Sequence, residues 1–242
     1  MRTTIVIIPT YNEIENVRLI VERTLAASDE VDVLVVDDNS PDGTGDIADA
    51  MARENDRVHV LHRAGKEGLG MAYLDGFRWA LGQNYENFFE MDADGSHPPE
   101  KLPEMIRLLK TNDMVVGSRW MPGGKVVNWP WRREVLSRGG NLYTRIMLRI
   151  PVKDATGGFR GFTRAALDRI DLNKVESQGY CFQVDLLWRA LQANLHVSET
   201  PIVFTERVNG YSKMSSGIVI EALTKVTRWG VEKFFKDFFH RN

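Results

Sequence analysis

The sequence has 242 residues, of which 43% are hydrophobic and 26% are charged, enough chain for one domain with a substantial buried core. The net charge of −2 predicts no nucleic-acid partner, and a single cysteine excludes an internal disulfide and fits a reducing compartment. The N-terminus begins in a strand-like run, and no window approaches roughly 18 uninterrupted apolar residues. We therefore expect neither a signal peptide nor a transmembrane helix.

Short apolar runs alternate with amphipathic stretches up to about residue 120. Buried strands are predicted for TTIVIIP, VDVLVVDD, RVHVLHR, NFFEMDAD and DMVVGSR. Helical patterns lie between them at about 15–27, 43–54, 68–82 and 100–110. This alternation predicts an α/β fold with a mainly parallel sheet flanked by helices. Such a sheet binds ligands beyond the carboxyl ends of its strands.

Glycine and proline cluster at 121–124 and 128–131, which marks a loop before a basic helical stretch at 132–149. From Arg119 to Arg149 the chain has seven Lys or Arg residues and one acid, Glu134. This imbalance indicates an anion-binding surface, with a solvated helix face as the alternative. A Gly-rich turn (ATGGFRGF), a helix at 180–194, a strand (HVSETPIVFT), a loop (ERVNGYSKMSSG) and a final helical segment follow.

Two carboxylates, Asp92 and Asp94, close the strand NFFEM. Residues i and i+2 of a strand point to the same side, so both can approach one cation. Mg²⁺ and Mn²⁺ prefer oxygen ligands, and such a cation offsets the charge that develops on a diphosphate leaving group. The pair therefore predicts a metal site, although alone it also fits an ordinary polar turn.

The first two strands end in further polar groups. A nucleobase could stack on Tyr11, and Glu13 could accept hydrogen bonds from ribose or base, whereas the alternative for this segment is a helix-capping turn. Asp37 and Asp38 follow the second strand, where a carboxylate could bind base N–H groups. No GxGxxG motif follows the first strand, which argues against a dinucleotide-dependent oxidoreductase.

Five motifs occur in a fixed order: PTYNE, VVDDNSPDGT, GKEGLGMAYLDGF, DADGSHPP and GSR. In this order they resemble the family 2 inverting glycosyltransferases, which have a GT-A (nucleotide-diphospho-sugar transferase) fold with a Rossmann-like sheet. Within that family the sequence is most similar to the dolichol-phosphate and polyprenol-phosphate mannose synthases. The resemblance implies a catalytic domain at 1–215 and a C-terminal amphipathic segment at 216–242.

The resemblance implies a donor site. Its nucleoside pocket would be lined by Pro9, Tyr11, Glu13, Val36 and Asp38. The metal ligands would be Asp92 and Asp94, with the diphosphate also beside Ala93 and, less well matched to the family pattern, Ser96. Arg119 would lie beside the sugar and diphosphate, Asp154 would contact a sugar hydroxyl, and a basic loop with Arg207 and Lys213 would close on the phosphates.

The resemblance also implies an acceptor site, in which Arg133 and Ser137, one helical turn apart, bind a phosphate. The expected catalytic residues are then Asp94, Arg119 and Arg133. Because a phosphate monoester is ionised near neutral pH, it can attack without a general base, but it needs cations to bring two anionic reactants together. His97 is a conceivable base, but a structural role for this turn histidine is favoured.

The implied reaction moves mannose from GDP-mannose to a polyprenyl (dolichyl-type) monophosphate with inversion, giving polyprenyl phosphate mannose and GDP, with Mg²⁺ or Mn²⁺ as cofactor. A glucose or aminosugar from a UDP-sugar is the closest alternative. Transfer to a hydroxyl group, which would need a base, and a non-catalytic nucleotide-sugar binding module are further alternatives.

Four phenylalanines among basic residues close the chain: Phe234, Phe235, Phe238 and Phe239. They suit a helix in the lipid headgroup layer, whereas docking on the protein's own core is the alternative. For Trp129 and Trp131 the same two alternatives hold: contact with lipid or packing in the protein's own core. We expect a cytoplasmic protein, peripheral at the inner face of the membrane, with a membrane protein as a conceivable partner.

Overall fold

A central sheet organises this computed structural model, which describes residues 2–175, 177, 179–206 and 216–239, without the side chains of 179–180, 216–219 and 237–238. In the described chain the sheet has seven strands, in the spatial order β3-β2-β1-β4-β7-β5-β8. They are β1 (Thr4–Thr10), β2 (Val31–Asp37), β3 (Val58–His62), β4 (Asn87–Glu90), β5 (Met114–Ser118), β7 (Arg160–Thr163) and β8 (Val197–Pro201). A small second sheet pairs β6 (Lys125–Val127) with β9 (Val203–Thr205).

Helices cover both faces of the central sheet, as the alternating sequence pattern predicts. They are α1 (Val17–Ala27), α2 (Thr44–Glu54), α3 (Leu69–Leu81), α4 (Leu102–Leu109), α5 (Trp131–Leu148), α6 (Arg164–Arg169), α7 (Gly179–Gln192) and α8 (Ser216–Phe239). Alternate residues of β1 supply the two cores: Ile5 and Ile7 pack with α3 and α7, and Val6 and Ile8 pack with α1 and α4. This is the two-residue period of a strand buried on both faces.

Several segments differ from the sequence prediction, and strand β6 and helix α6 were not predicted. The second half of the predicted Gly-rich turn is strand β7, which lies antiparallel between β4 and β5. A Cβ atom at Gly161 would lie 2.5 Å from Cε1 of Phe89, so glycine is needed where β7 crosses that ring. The predicted single strand HVSETPIVFT divides at the buried Ile202 into β8 and β9, which belong to different sheets.

Helix α8 docks on the protein core with one part and leaves phenylalanines exposed in another. Val226 and Trp229 are buried in the main core, and a Cβ atom at Gly230 would lie 2.8 Å from the carbonyl oxygen of Met147 on α5. This part of α8 therefore docks on the protein. Further along, Phe234 and Phe235 are each 53% exposed and Phe239 is 70% exposed. No helix in the described residues has both the length and the apolar character needed to cross a bilayer.

Candidate active site

Three neighbouring parallel strands, β2, β1 and β4, end at one edge of the sheet. Register pairs Thr10 with Asp37, and Ile7 with Glu90. Tyr11, Asp38 and Asp92 therefore follow strands that end side by side. The structure brings together along one edge the polar groups that the sequence scatters over more than 80 positions.

The two acids after β2 have different environments. Asp37 is buried and accepts hydrogen bonds from the hydroxyls of Thr10 (3.1 Å) and Ser40 (2.6 Å), so it stabilises the turn. Asp38 forms an ion pair with Arg63, and burial raises the pKa of Asp38 although Arg63 opposes the shift. Sequence reasoning missed Arg63, which also binds Asp75 at 2.8 Å.

The rest of the predicted nucleoside pocket is only partly accessible. The ammonium group of Lys66 lies 4.2 Å from the ring centre of Tyr11, a cation–π contact on the ring that we expected to receive a base. Glu13 accepts a 2.8 Å hydrogen bond from the side chain of Asn16. Pro9 is half-buried beside Val36, whose side chain is fully buried in the core, so Val36 can take part only through its backbone.

The predicted metal ligands sit on a tight turn after β4. Asp92 and Asp94 are half-buried, Ala93 is buried, and Gly95 has a φ of +73°, a conformation that favours glycine. The hydroxyl of Tyr73 donates to Oδ1 of Asp92 at 3.0 Å. Oδ1 of Asp94 accepts from the backbone N–H of Ser96 at 3.1 Å.

These groups fit a hard divalent cation. The buried hydroxyl oxygen of Ser96, two residues after Asp94, has no hydrogen-bond partner within the described chain. The described residues contain no cluster of three His, Cys, Asp or Glu side chains that could enclose a metal. Two carboxylates suit a cation whose remaining ligands are substrate phosphates and water.

His97 has the structural role that the sequence favoured. Its Nδ1 accepts a hydrogen bond from the backbone N–H of Asp92 at 3.2 Å, and burial lowers its pKa. Its ring stacks on Phe159 (5.5 Å between centroids) and meets the edge of Phe204 (5.4 Å). The neutral ring therefore anchors the turn that presents Asp92 and Asp94.

Arg119 is buried at the end of β5 and is held by Asp154. Nε and Nη2 of Arg119 donate to the two Asp154 oxygens, each at 2.7 Å, and Nη2 also donates to Thr156 at 2.9 Å. Burial raises the pKa of Asp154, but the charge and hydrogen bonds of Arg119 outweigh it and the net shift is downward. Asp154, which we expected to contact a sugar hydroxyl, is fully buried, and both of its carboxylate oxygens bind Arg119.

Arg119, Arg133 and Ser137 line one cavity between α5, α7 and α8. Its other walls are mostly apolar and include Trp129, Leu136, Gly140, Tyr143, Val184, Ala222, Leu223 and Val226. We call it the acceptor cavity. Cationic groups in a mostly apolar cavity suit a ligand with an anionic head and a hydrocarbon tail.

An aromatic row connects the acceptor cavity with the Asp92 turn. The guanidinium of Arg133 lies 4.1 Å from the ring centre of Trp129 and also forms an ion pair with Glu206. Trp129 meets Phe204 at 5.4 Å, and Phe204 meets His97. Trp129 is thus part of the wall between the two sites, whereas Trp131 is 69% exposed. Arg207 and Lys213, expected in the closing loop, lie outside the described residues.

Comparison with known proteins identifies a family and similar relatives. Residues 5–171 match the model of glycosyl transferase family 2. The chain is 53% identical over 230 residues to a polyprenol monophosphomannose synthase of Mycolicibacterium smegmatis, covering 94% of this chain and 87% of that protein. It is 54% identical over 225 residues to an undecaprenyl-phosphate mannosyltransferase of Micrococcus luteus, covering 93% of each.

A solved structure shows the same fold. It is glucosyl-3-phosphoglycerate synthase of Mycobacterium tuberculosis in complex with Mn²⁺, UDP-glucose and phosphoglyceric acid. The TM-score is 0.66 at 18% identity, over 93% of this chain and 80% of that chain. The predicted α/β fold of the GT-A class, with a mainly parallel sheet between helices, is confirmed.

Proposed function

The chain belongs to glycosyl transferase family 2, and on that premise we propose that it transfers mannose from GDP-mannose to a polyprenyl monophosphate with inversion. Two relatives more than half identical are named for mannose transfer to polyprenol or undecaprenyl phosphate. The observation that carries the proposal is that Arg119 and Arg133 line one apolar cavity with Ser137, next to the Asp92 turn.

The acceptor cavity supplies what a lipid phosphate nucleophile needs. Arg133 and Ser137 bind its phosphate, the apolar walls from α5 and α8 accept the first isoprene units, and Arg119 lies between acceptor and donor. The anionic phosphate oxygen attacks the anomeric carbon as the bond to the donor diphosphate breaks, so no proton has to be removed. This matches the position of His97, which is buried, neutral and engaged with the backbone of Asp92.

The donor side provides two carboxylates for a divalent cation. Asp92 and Asp94 are its protein ligands in our proposal, with Ser96 beside them, and a bound Mg²⁺ or Mn²⁺ offsets the charge that develops on the diphosphate. Tyr73 orients Asp92 through its 3.0 Å hydrogen bond. The nucleoside would extend along the sheet edge past Tyr11, Glu13 and Asp38, with Arg207 and Lys213 closing on the phosphates.

Guanosine as the donor nucleoside and mannose as the sugar are the finer part of the proposal. The names of the two relatives support mannose, and GDP-mannose follows from the resemblance to mannose synthases. The solved structure with UDP-glucose shows that a similar sheet binds a uridine donor. A UDP-sugar therefore remains the alternative that a donor assay must test.

The protein works at a lipid surface in our proposal, because the tail of its acceptor stays in the bilayer. The exposed phenylalanines of α8 support a peripheral contact by the segment 216–242, beside a catalytic region at 1–215. Because nucleotide sugars are found in the cytosol, we propose that the protein contacts the cytoplasmic, inner face of the membrane. A membrane protein could share this contact.

A donor panel tests the proposed function. The full chain is incubated with radiolabelled GDP-mannose, UDP-glucose or a UDP-aminosugar, a short polyprenyl phosphate, and Mg²⁺ or Mn²⁺. We expect transfer from GDP-mannose that EDTA and Asp94→Ala abolish, and a product with inverted anomeric configuration by NMR. Transfer from UDP-glucose but not from GDP-mannose would refute the donor, and metal-independent binding without GDP release would indicate a binding module.

A paired variant tests the acceptor site. Arg133→Ala removes a charged hydrogen-bond donor, so the KM for polyprenyl phosphate should rise about 10- to 100-fold, with a smaller change for GDP-mannose. Arg132→Ala is the matched control, because Arg132 is the exposed neighbour and does not line the cavity. Equal effects of the two substitutions would contradict the assignment. Faster transfer to a free polyprenol than to its phosphate would favour the hydroxyl-acceptor alternative.

A further inference from the structure

A second cavity opens on the other side of Arg119. It encloses about 500 Å³, against about 120 Å³ for the acceptor cavity, and that size is within the usual range of ligand sites. Its wall includes four cationic side chains, Arg119, Arg138, Arg145 and Lys153, and no acid within the described chain. We call it the basic cavity.

Within the part of the chain that the structure describes, two of these cations have no carboxylate partner. Arg119 is bound to Asp154, and Arg138 pairs with Glu134 at 2.8 Å. Within the described residues, Arg145 and Lys153 form no ion pair, and Nε of Arg145 is buried without a hydrogen-bond partner. A buried guanidinium N–H that is not satisfied by the protein calls for an anionic or water ligand.

The lining also offers a second buried donor. Nε1 of Trp120 has no partner within the described chain, and Arg138 lies over the Trp120 ring at 4.2 Å. Within the described residues, the unsatisfied N–H groups of Arg145 and Trp120 and the two cations without an ion-pair partner, Arg145 and Lys153, all line the basic cavity. Of the residues that line the basic cavity, only Arg119 also takes part in the proposed reaction.

Apolar side chains on the same helix face distinguish a lipid from a dissolved anion. Arg138, Leu142 and Arg145 lie at positions i, i+4 and i+7 of α5, so Leu142 sits between the two cations. Leu142 lines the cavity and is 55% exposed, and the nearby Ile146 is 65% exposed. A soluble phosphate would use the cations alone, whereas a phospholipid would also cover the apolar side chains.

We propose that the basic cavity binds the phosphate of an anionic phospholipid headgroup, with the acyl chains along the exposed face of α5. This site is separate from the acceptor cavity and does not depend on the identity of the transferred sugar. It would hold the enzyme on an anionic bilayer with Arg119 and the acceptor cavity next to the lipid surface.

The experiment compares two double variants of the full chain. Arg145→Gln/Lys153→Gln changes the two cations without ion-pair partners, and Arg53→Gln/Lys110→Gln removes the same charge from exposed positions that do not line the cavity. Binding is measured by co-sedimentation with phosphatidylcholine vesicles, with and without phosphatidylglycerol. Urea unfolding midpoints check that both variants are folded.

We expect the cavity variant to bind phosphatidylglycerol vesicles about 30-fold more weakly than wild type, from about 1 kcal/mol for each cation near an anionic surface. The control variant should change binding little, because Arg53 on α2 and Lys110 after α4 do not line the basic cavity. If the cavity variant fails to fold, Lys153→Gln alone should weaken binding about fivefold on the same basis. Equal weakening in both double variants would overturn the site.

A calorimetric titration with inorganic phosphate distinguishes the two sources of the anion. If phosphate binds wild type but not the cavity variant, while both bind vesicles equally, the occupant is a soluble anion and the lipid proposal is wrong. Mannose transfer to a short polyprenyl phosphate without vesicles should be unchanged in the cavity variant. If the proposed function itself is wrong, the wild-type protein will also fail to transfer mannose to the short polyprenyl phosphate.

Discussion

The guanidinium of Arg119 and the carboxylate of Asp154 form a buried, two-pronged ion pair, with both N–O distances at 2.7 Å. The backbone N–H of Arg119 donates to the same carboxylate at 2.9 Å. Asp154 is fully buried and Arg119 is 5% exposed. Asp154 is therefore the residue that orients the cation shared by the two cavities.

Asp154→Asn should destabilise the protein by about 3–5 kcal/mol, because it leaves the charge of Arg119 buried without its partner. Urea denaturation measures this change. Asp56→Asn is the matched control, since it removes an Arg–Asp pair whose aspartate side chain is 81% exposed and should shift the urea midpoint far less, because solvent screens exposed ion pairs. Similar losses for both variants would contradict a dominant role for the buried pair.

The same ion pair predicts a dependence of stability on pH. The pKa of Asp154 is lowered in the folded protein, so its contribution is present above the unfolded pKa of about 3.9 and is lost as pH falls through the folded pKa. The wild-type urea midpoint should therefore decrease in this acidic range more steeply than that of Asp154→Asn. Parallel decreases in the two proteins would show that Asp154 does not contribute.

Tyr73→Phe should weaken metal use while preserving the core. It removes the hydroxyl that donates to Asp92 but keeps the ring that stacks on Phe182. Loss of such an orienting hydrogen bond typically costs about 10- to 100-fold in metal affinity. The measurement is the Mn²⁺ concentration for half-maximal transfer.

Tyr85→Phe provides the control for this effect. Tyr85 also donates to a buried aspartate, Asp32 at 2.7 Å, but this pair is remote from the Asp92 turn. The Mn²⁺ concentration for half-maximal transfer by Tyr85→Phe should equal that of wild type. If Tyr73→Phe needs the same Mn²⁺ concentration as wild type, Tyr73 does not position the metal ligand Asp92.

Glu206→Gln should improve acceptor binding. Glu206 pairs with Arg133, so an incoming phosphate must compete with this carboxylate. Removing the charge should lower the KM for polyprenyl phosphate about two- to fivefold, as for partly exposed ion pairs, with little change in kcat. Glu134→Gln, which releases Arg138 instead, should leave the KM unchanged, and a higher KM in Glu206→Gln would show that the pair assists binding.

His97→Asn should retain far more activity than His97→Ala. The side-chain oxygen of asparagine can accept the backbone N–H of Asp92 that Nδ1 of His97 accepts, whereas alanine leaves that donor unsatisfied at a cost of about 1–3 kcal/mol. Initial rates at saturating metal measure the difference. Equal and complete loss in both variants would indicate that His97 is a base.

Local sequence patterns were sufficient to predict β1 to β5, most helix positions and the edge of the sheet at which the polar groups gather. Each strand is a run of apolar residues with its own turn signals, so its pattern is visible within a short window. The same patterns did not reveal β7, because glycines such as Gly161, which the close approach of Phe89 requires, gave its segment the pattern of a turn. Nor could they separate Asp37, bound in a turn, from Asp38, paired with Arg63.

The sequence by itself determined where most strands lie along the chain and which chemical groups follow them, because hydrophobic period and turn residues act locally. Only the tertiary structure decided which charges meet: Asp154 with Arg119 across 35 positions, and Glu206 with Arg133 across 73. It also divided α8 between the core and solvent, and separated the acceptor cavity from the basic cavity. Ion pairing and burial depend on distances in the folded chain, and no spacing along the sequence specifies them.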